Sequence, residues 1–309
     1  MLPSLRCLFG RALLVALGLS GATLGSSRAA AQNVKLVGAQ KPRVDTELLG
    51  TTPYNRFQLV TRSLLGDGTE ITGPTAHLVE VSASLKVADE WAIGAVIPFG
   101  MMTAGLVGSD QGLLGNVGVG VSWGKNLPLG DSRAHWISFG VGIDALLPTA
   151  PGDSGANAAP SVAAAIRAES PYYYLPAFGA LVTRFTISLS MFENLLRATG
   201  ELRYVNGFLI EESDPYVGLS GGFGELAVRP VQPLEIYARI GVTQQVSGTG
   251  SIEPPLTITP GVRFQPTDNL VLGLFAGFNV ETSDAFTIGL EVGGLVDSET
   301  KRSGWLGDD

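Results

Sequence analysis

The chain is short of charge, of cysteine and of histidine. Only 16% of its 309 residues are Asp, Glu, Lys or Arg, against about 25% in an ordinary soluble domain. A surface so poor in charge is either covered or faces something other than water. The single cysteine, Cys7, lies within a stretch patterned as a secretory signal peptide. Arg6 and Arg11 supply a positive start, LLVALGLSGA (Leu13 to Ala22) an apolar middle, and Ala29-Ala30-Ala31 the small residues of a cleavage site. Cleavage after Ala31 would remove Cys7 and leave no disulfide or thiol chemistry. It would also remove Arg6, Arg11 and Arg28, taking the basic residues from 20 to 17 against 28 acidic ones, a net of −11. An acidic exported chain lacks the basic face that phosphates demand, so nucleic acid is not an expected partner.

Catalytic residues are scarce as well. His77 and His135 are the only histidines. Neither HLVEVS nor HWIS shows a close Ser–His pairing of the kind outer-membrane phospholipases use, and no metal-ligand spacing is visible. The glycine-rich GNVGVGVSWG lacks the following helix and lysine of a phosphate loop. No enzyme activity, metal or cofactor is expected.

A good transmembrane helix is also missing. The nearest is WAIGAVIPFGMMTAGLVG, Trp91 to Gly108, which is long enough and uncharged. Pro98 and four glycines interrupt it, and Trp91, Ile93, Ala95, Ile97 and Phe99 alternate with period two, which argues strand. The same alternation recurs. Val79 to Val87 place apolar residues opposite Glu80, Ser82, Ser84 and Lys86. Ile137 to Ala145 oppose Ser138, Gly140, Gly142 and Asp144. RFQPTDNLVLGLFAGF (Arg263 to Phe278) reads as strand, turn, strand, with Leu270, Leu272, Leu274, Ala276 and Phe278 on one face.

What the chain does have is glycine, 41 residues, nearly twice the usual ~7% share. Many strands run about 9–12 residues, the span a tilted strand needs to cross a bilayer; soluble strands average about 5–6. Their second face is mostly Gly, Ser and Thr with scattered charges, as in the lumen of a membrane barrel. A soluble sandwich or lipocalin-like barrel is the alternative.

The expected fold class is therefore all-β, a closed antiparallel transmembrane β-barrel of about twelve strands. They lie near 55–65, 75–87, 91–101, 114–124, 135–147, 179–191, 198–208, 216–229, 234–246, 255–264, 269–280 and 285–295. The domains read as a signal peptide (1–31), a periplasmic N-terminal segment (32–53), the barrel (54–296) and a polar C-terminal tail (297–309). Short turns alternate with longer loops, which puts the short ones in the periplasm and the long ones outside. Pro260 resists the scheme, because a closed barrel has no free edge for its missing N–H.

The inward-facing charges are Arg62, Glu80, Lys86, Asp144, Glu201, Arg203, Glu235, Arg239, Arg263 and Glu291. They would line one cavity, since a charge on the lipid face would cost ~2–4 kcal/mol near the midplane. They either line a solute path or pair into a network that closes the lumen; glycines on the same face favour the wider bore. Residues 148–178 form the one long connection, and long loops are usually functional or disordered. Ser161 to Ser170 would make a short helix ended by Pro171. Tyr172, Tyr173 and Tyr174 suit an interfacial girdle, or else a lid folded over the pore mouth.

LLGNVGVGVSW (113–123) and IDALLPTAPGD (143–153) resemble the outer-membrane barrels of the "MetA-pathway of phenol degradation" family. Those proteins often show Gly-Leu-Gly-Asp at a strand opening and Pro-Thr-Gly at an outer loop one strand later. This chain has Asn116 for the aspartate and Ala150 for the glycine. The resemblance implies an outer-membrane transporter of small, hydrophobic or aromatic compounds. The expected function is passive passage of a small molecule across the outer membrane, with lipid as the surrounding partner. The alternatives are a closed structural or surface-interaction barrel and a membrane hydrolase.

Overall fold

The structure is a computed structural model. It describes residues 55–65, 75–103, 111–129, 135–150, 170–175, 177–192, 195–210, 216–231, 233–248, 256–267, 270–280 and 286–295. The expected signal peptide, N-terminal segment and polar tail lie outside these residues.

Thirteen strand segments form one antiparallel sheet: β1 (Arg56–Leu65), β2 (Thr75–Ala88), β3 (Trp91–Thr103), β4 (Gln111–Leu114), β5 (Val117–Pro128), β6 (Trp136–Leu147), β7 (Phe178–Met191), β8 (Leu196–Leu209), β9 (Tyr216–Val231), β10 (Leu234–Gly248), β11 (Thr257–Thr267), β12 (Leu270–Asn279) and β13 (Phe286–Leu295). Apart from β4 and β5, which do not pair with each other, sequence neighbours pair along the whole sheet, and β1 pairs with both β2 and β13. The sheet therefore closes on itself. β4 and β5 both pair with β3 and are two halves of one stave, so the barrel has twelve staves.

Period-two alternation becomes inside and outside. Along β7, Val182, Arg184, Thr186 and Ser188 are buried while Leu181, Phe185 and Ile187 are exposed. The same holds on β8 and β10, where Leu202, Ile236 and Ile240 are more than half exposed. An outward belt of Leu, Ile, Val and Phe around a polar interior is the signature of a strand wall meant for lipid. At the end holding both barrel termini, Trp91 faces Trp123 across β3 and β5. At the other end Phe208 packs edge-on to Tyr216. Aromatics at both margins suit the membrane–water interfaces.

Two prolines within staves are accommodated in different ways. Pro260 lies inside β11 opposite Ala238 of β10. On the β12 side the ladder runs Ile258↔Phe278, then Gly261↔Phe275, with no pair at Thr259 or Pro260. The register is unchanged across the gap, so the missing N–H costs one rung and no bulge is needed. Pro98 of β3 faces the break between β4 and β5. There Ile97 and Pro98 stand opposite Gly115, Asn116 and Val117, one extra residue on the broken stave. The sequence reading of a continuous strand over 114–124 is corrected at this point. A bulge re-aims a side chain, and here it turns Asn116 fully inward.

Candidate functional site

The lumen has two unlike halves. Towards the end that holds the barrel termini, six charged side chains converge from β8, β9, β10, β11 and β13. Arg263 Nη1 donates to Glu225 Oε1 (2.9 Å) and Glu235 Oε1 (3.1 Å), Nη2 to Glu225 Oε2 (3.0 Å), and Nε to Glu291 Oε2 (3.4 Å). Arg239 Nη2 lies 2.9 Å from Glu225 Oε2. Arg197 Nη2 reaches Glu225 at 2.8 Å and Glu235 at 3.3 Å. Three arginines thus share three glutamates, and every one of the six is buried. Ions taken out of water are tolerable only when their remaining protons and lone pairs are satisfied, and shared guanidinium forks supply that.

Aromatic rings support the lattice from the walls. Arg263 lies over Tyr237 at 3.8 Å and Arg239 over Phe223 at 4.4 Å. Such stacking adds on the order of 0.5–2 kcal/mol each, more when desolvated. A further step along the bore, Arg184 Nε is 2.8 Å from Asp144 Oδ2, Arg203 pairs with Glu201, and Arg62 Nη1 is 2.8 Å from Glu80 Oε1.

The half towards the long loops is closed differently. Leu147 ends β6, and after residues 151–169, which lie outside the described set, Ser170 enters a single turn of 3-10 helix at Pro171–Tyr173. Tyr172, Tyr173 and Tyr174 are buried against Leu78, Val96, Leu146, Phe178, Val205 and Leu219. They do not form an outer girdle, which corrects that expectation. Their rings fill the bore instead, because the lumen here offers apolar neighbours and partners for the hydroxyls. Tyr174 Oη donates to Glu80 Oε1 (3.3 Å), and Arg203 Nη1 donates to Tyr172 Oη (3.3 Å) and Ser170 Oγ (2.7 Å).

Asn116 clamps this segment to the wall. Its backbone N–H donates to Tyr173 O (2.7 Å), and its Nδ2 donates to Tyr172 O (3.0 Å) and Leu175 O (2.7 Å). Its Oδ1 accepts from Ala150 N–H (3.1 Å), while Thr149 Oγ1 donates to Gly115 O (2.6 Å). A Cβ on Gly115 would lie 2.5 Å from Tyr173 O, so only glycine lets the segment come this close. Gly115-Asn116 and Pro148-Thr149-Ala150, the two short motifs singled out in the sequence, are therefore the two sides of one anchor.

Nine of the ten sequence-selected charges project inward as ion pairs; Lys86 stands apart. It lies two residues from the end of β2, beyond the lattice, where its exposed ammonium pairs with exposed Asp89 at 3.3 Å. Sequence reading missed Arg56, Arg184, Arg197 and Glu225. Arg56 and Arg184 have the inward parity of Arg62 and Thr186. Arg197 fell just outside the strand expected at 198, and Glu225 was hidden among the glycines of GGFGELAV.

The glycines do not widen the bore as expected. A Cβ on Gly207 would strike the Phe178 ring, one on Gly289 the Phe275 ring, and one on Gly120 the Asp144 carboxylate. Each leaves room that a neighbouring strand's side chain already fills. A cavity of about 60 Å³ lies between lattice and tyrosine segment, room for a few waters.

On the outer wall Ser63 and His77 face each other across β1 and β2, with Ser63 Oγ 3.0 Å from His77 Nδ1. The absence of a close Ser–His pair is thus corrected. Among the described residues no third polar group orients the ring, as nucleophile activation requires. His135 instead accepts from Phe192 N–H at Nδ1 (3.3 Å) and packs edge-on to the Phe192 ring.

No protein-family model matches the chain. No curated protein matches it in sequence. Among solved structures, the NanC porin is 6% identical, covering 77% of this chain and 98% of that one, with a TM-score of 0.44. The KdgM porin is 10% identical, covering 78% and 99%, at 0.42. LpxR from Salmonella typhimurium is 11% identical, covering 78% and 99%, at 0.39. With TM-scores below 0.5, these likenesses lend no weight beyond the barrel's own ladders.

Proposed function

We propose that the protein is an outer-membrane channel for small solutes whose resting lumen is narrowed by the tyrosine segment. The supporting observation is the difference in how the bore is filled. The wall-borne charges line a polar path, while the obstruction nearest the long loops is a separate segment held by Asn116 and a few hydroxyl contacts. Moving that segment opens the upper bore without breaking a rung of the barrel. The MetA-type resemblance of 113–123 and 143–153 supports a small-molecule cargo, with hydrophobic or aromatic compounds as the finer expectation. Activity as an enzyme is not part of the proposal.

Planar bilayer recording tests it. Discrete conductance steps from purified, folded protein are expected, small at rest and larger when Asn116 is replaced by Ala. A folded barrel silent in both forms would overturn the channel reading. The second reading, a closed structural barrel, draws on the shared Arg–Glu lattice. It predicts that silence.

A further inference from the structure

Asn116 holds the tyrosine segment, and the contacts around it show what holds Asn116 in turn. Gly115 and Asn116 lie in the break between β4 and β5, outside both strands. Gly115 N–H donates to Pro98 O (2.8 Å) and Asn116 N–H to Tyr173 O (2.7 Å). The groups that turn the other way, towards the end of β6, are Gly115 O and Val117 N–H. The chain beyond β6 has no backbone donor for Gly115 O. Pro148 carries no N–H, Thr149 N–H turns back onto Leu147 O (2.8 Å), and Ala150 N–H goes to Asn116 Oδ1 (3.1 Å).

The Thr149 hydroxyl takes the place of the missing rung. It donates to Gly115 O at 2.6 Å and accepts from Val117 N–H at 2.9 Å. Leu147 O, another acceptor in reach, is 3.5 Å away. A hydroxyl has one proton to give and lone pairs to receive, so one side chain ties down both backbone neighbours of Asn116. Ala150, the next residue, sets the amide. Its N–H occupies Asn116 Oδ1, which leaves Nδ2 to face Tyr172 O (3.0 Å) and Leu175 O (2.7 Å). Ala150 is fixed from its other side by Ala177 N–H, which donates to Ala150 O at 3.1 Å.

We infer that Thr149 is a positioning residue for the tyrosine segment: its hydroxyl holds the bulge in the form that turns Asn116 into the bore, and so sets how firmly Ser170 to Leu175 dock. This deepens the channel reading and rests on it only where conductance is concerned. Thr149 is exposed at the rim, whereas Gly115, Asn116 and Ala150 are buried, so replacing it leaves the packed lumen as it is.

Docking is read on the full barrel folded in detergent, by chymotrypsin cleavage at Tyr172 to Tyr174, with mobility on unboiled gels reporting the folded barrel. Thr149→Val keeps the shape and loses the hydroxyl. Its cleavage is expected to be about two- to tenfold faster, the factor that one net hydrogen bond puts into an opening equilibrium. Thr149→Ser keeps the hydroxyl and is expected to restore the slow rate. Thr149→Val placed on Asn116→Ala is expected to add nothing further, because Thr149 acts through Asn116. Thr149→Ala gives the same comparisons should the valine variant fail to fold. Cleavage of Thr149→Val at the wild-type rate, of Thr149→Ser at the valine rate, or a further acceleration in the double variant overturns the inference. Faster cleavage in a barrel that never conducts keeps the role of Thr149 and loses the channel; conductance steps with wild-type cleavage in Thr149→Val do the reverse.

Discussion

The two halves of the lumen are both narrowed, by different means. In one, Arg197, Arg239 and Arg263 interlock with Glu225, Glu235 and Glu291, side chains rooted in five staves of the wall. In the other, a loop segment of the chain, Ser170 to Leu175, is docked into the bore and tied chiefly to Asn116. The lattice cannot yield without disturbing the strands that carry it. On the channel reading proposed above, the docked segment leaves while the barrel remains, which would lodge stability and gating at opposite ends of one tube.

The contrast breaks most sharply at Glu225. Its carboxylate serves three arginines, so Glu225→Leu leaves several buried guanidinium contacts uncompensated. Removing one partner of a buried ion network costs about 3–5 kcal/mol. Urea unfolding in micelles should show a loss of that size, with little change in single-channel conductance. If conductance rises instead while stability holds, the lattice is the gate and the assignment of roles is reversed.

Asn116→Ala probes the other half. The variant loses Nδ2 donation to two carbonyls and Oδ1 acceptance from Ala150, each bond contributing on the order of 1 kcal/mol. The wall keeps its ladders, so global stability should fall by less than in Glu225→Leu. Unit conductance should rise several-fold, and limited proteolysis near Tyr172 should become faster. Conductance unchanged in the folded variant would mean that the segment does not obstruct the path.

Much of this architecture is written in the sequence. Alternation is a local property, and it gives the staves nearly to the residue: 75–87 expected against Thr75–Ala88, 234–246 against Leu234–Gly248. Parity likewise sends Arg263 and Glu291 inward without reference to any partner. Which inward charges meet is not local, since Arg263 finds Glu225 across 38 positions. Nor does any period announce that Tyr172 to Tyr174 enter the bore. Their fate depends on a one-residue bulge at Gly115-Asn116, which appears only when β3 is laid against β4 and β5. The glycines misled for a related reason. A missing side chain looks like open space until the neighbouring strand's Phe or Asp is placed in it.

That last point is itself testable within the docked half. Gly207 lies beside Phe178, and a methyl added there would run into the ring. Gly207→Ala should overpack the wall behind the tyrosines and destabilise the barrel by about 1–3 kcal/mol. Combining it with Phe178→Leu, which vacates the space, should recover much of the loss in the same urea titration. Recovery sharpens the view that this half is filled by packing; no initial loss would mean that the space behind Gly207 is empty.

The smallest effect expected lies outside both halves, at the turn joining β2 and β3. Glu90 accepts from Trp123 Nε1 at 2.9 Å and pairs with Lys125 at 2.8 Å. Hydrogen bonds from Lys125 and Trp123 hold its carboxyl below the ordinary carboxylate range. A carboxyl lowered on folding stabilises the fold above its unfolded value, about 4.3, and that contribution fades as pH falls through the folded value. Trp123 emission should therefore shift on acidification below about pH 4, and Glu90→Gln should abolish the shift. The contact is exposed and screened by salt, so conductance and lumen stability should hardly respond. A conductance change that followed the Glu90 titration would couple this rim to the bore and end the division of labour drawn between wall and docked segment.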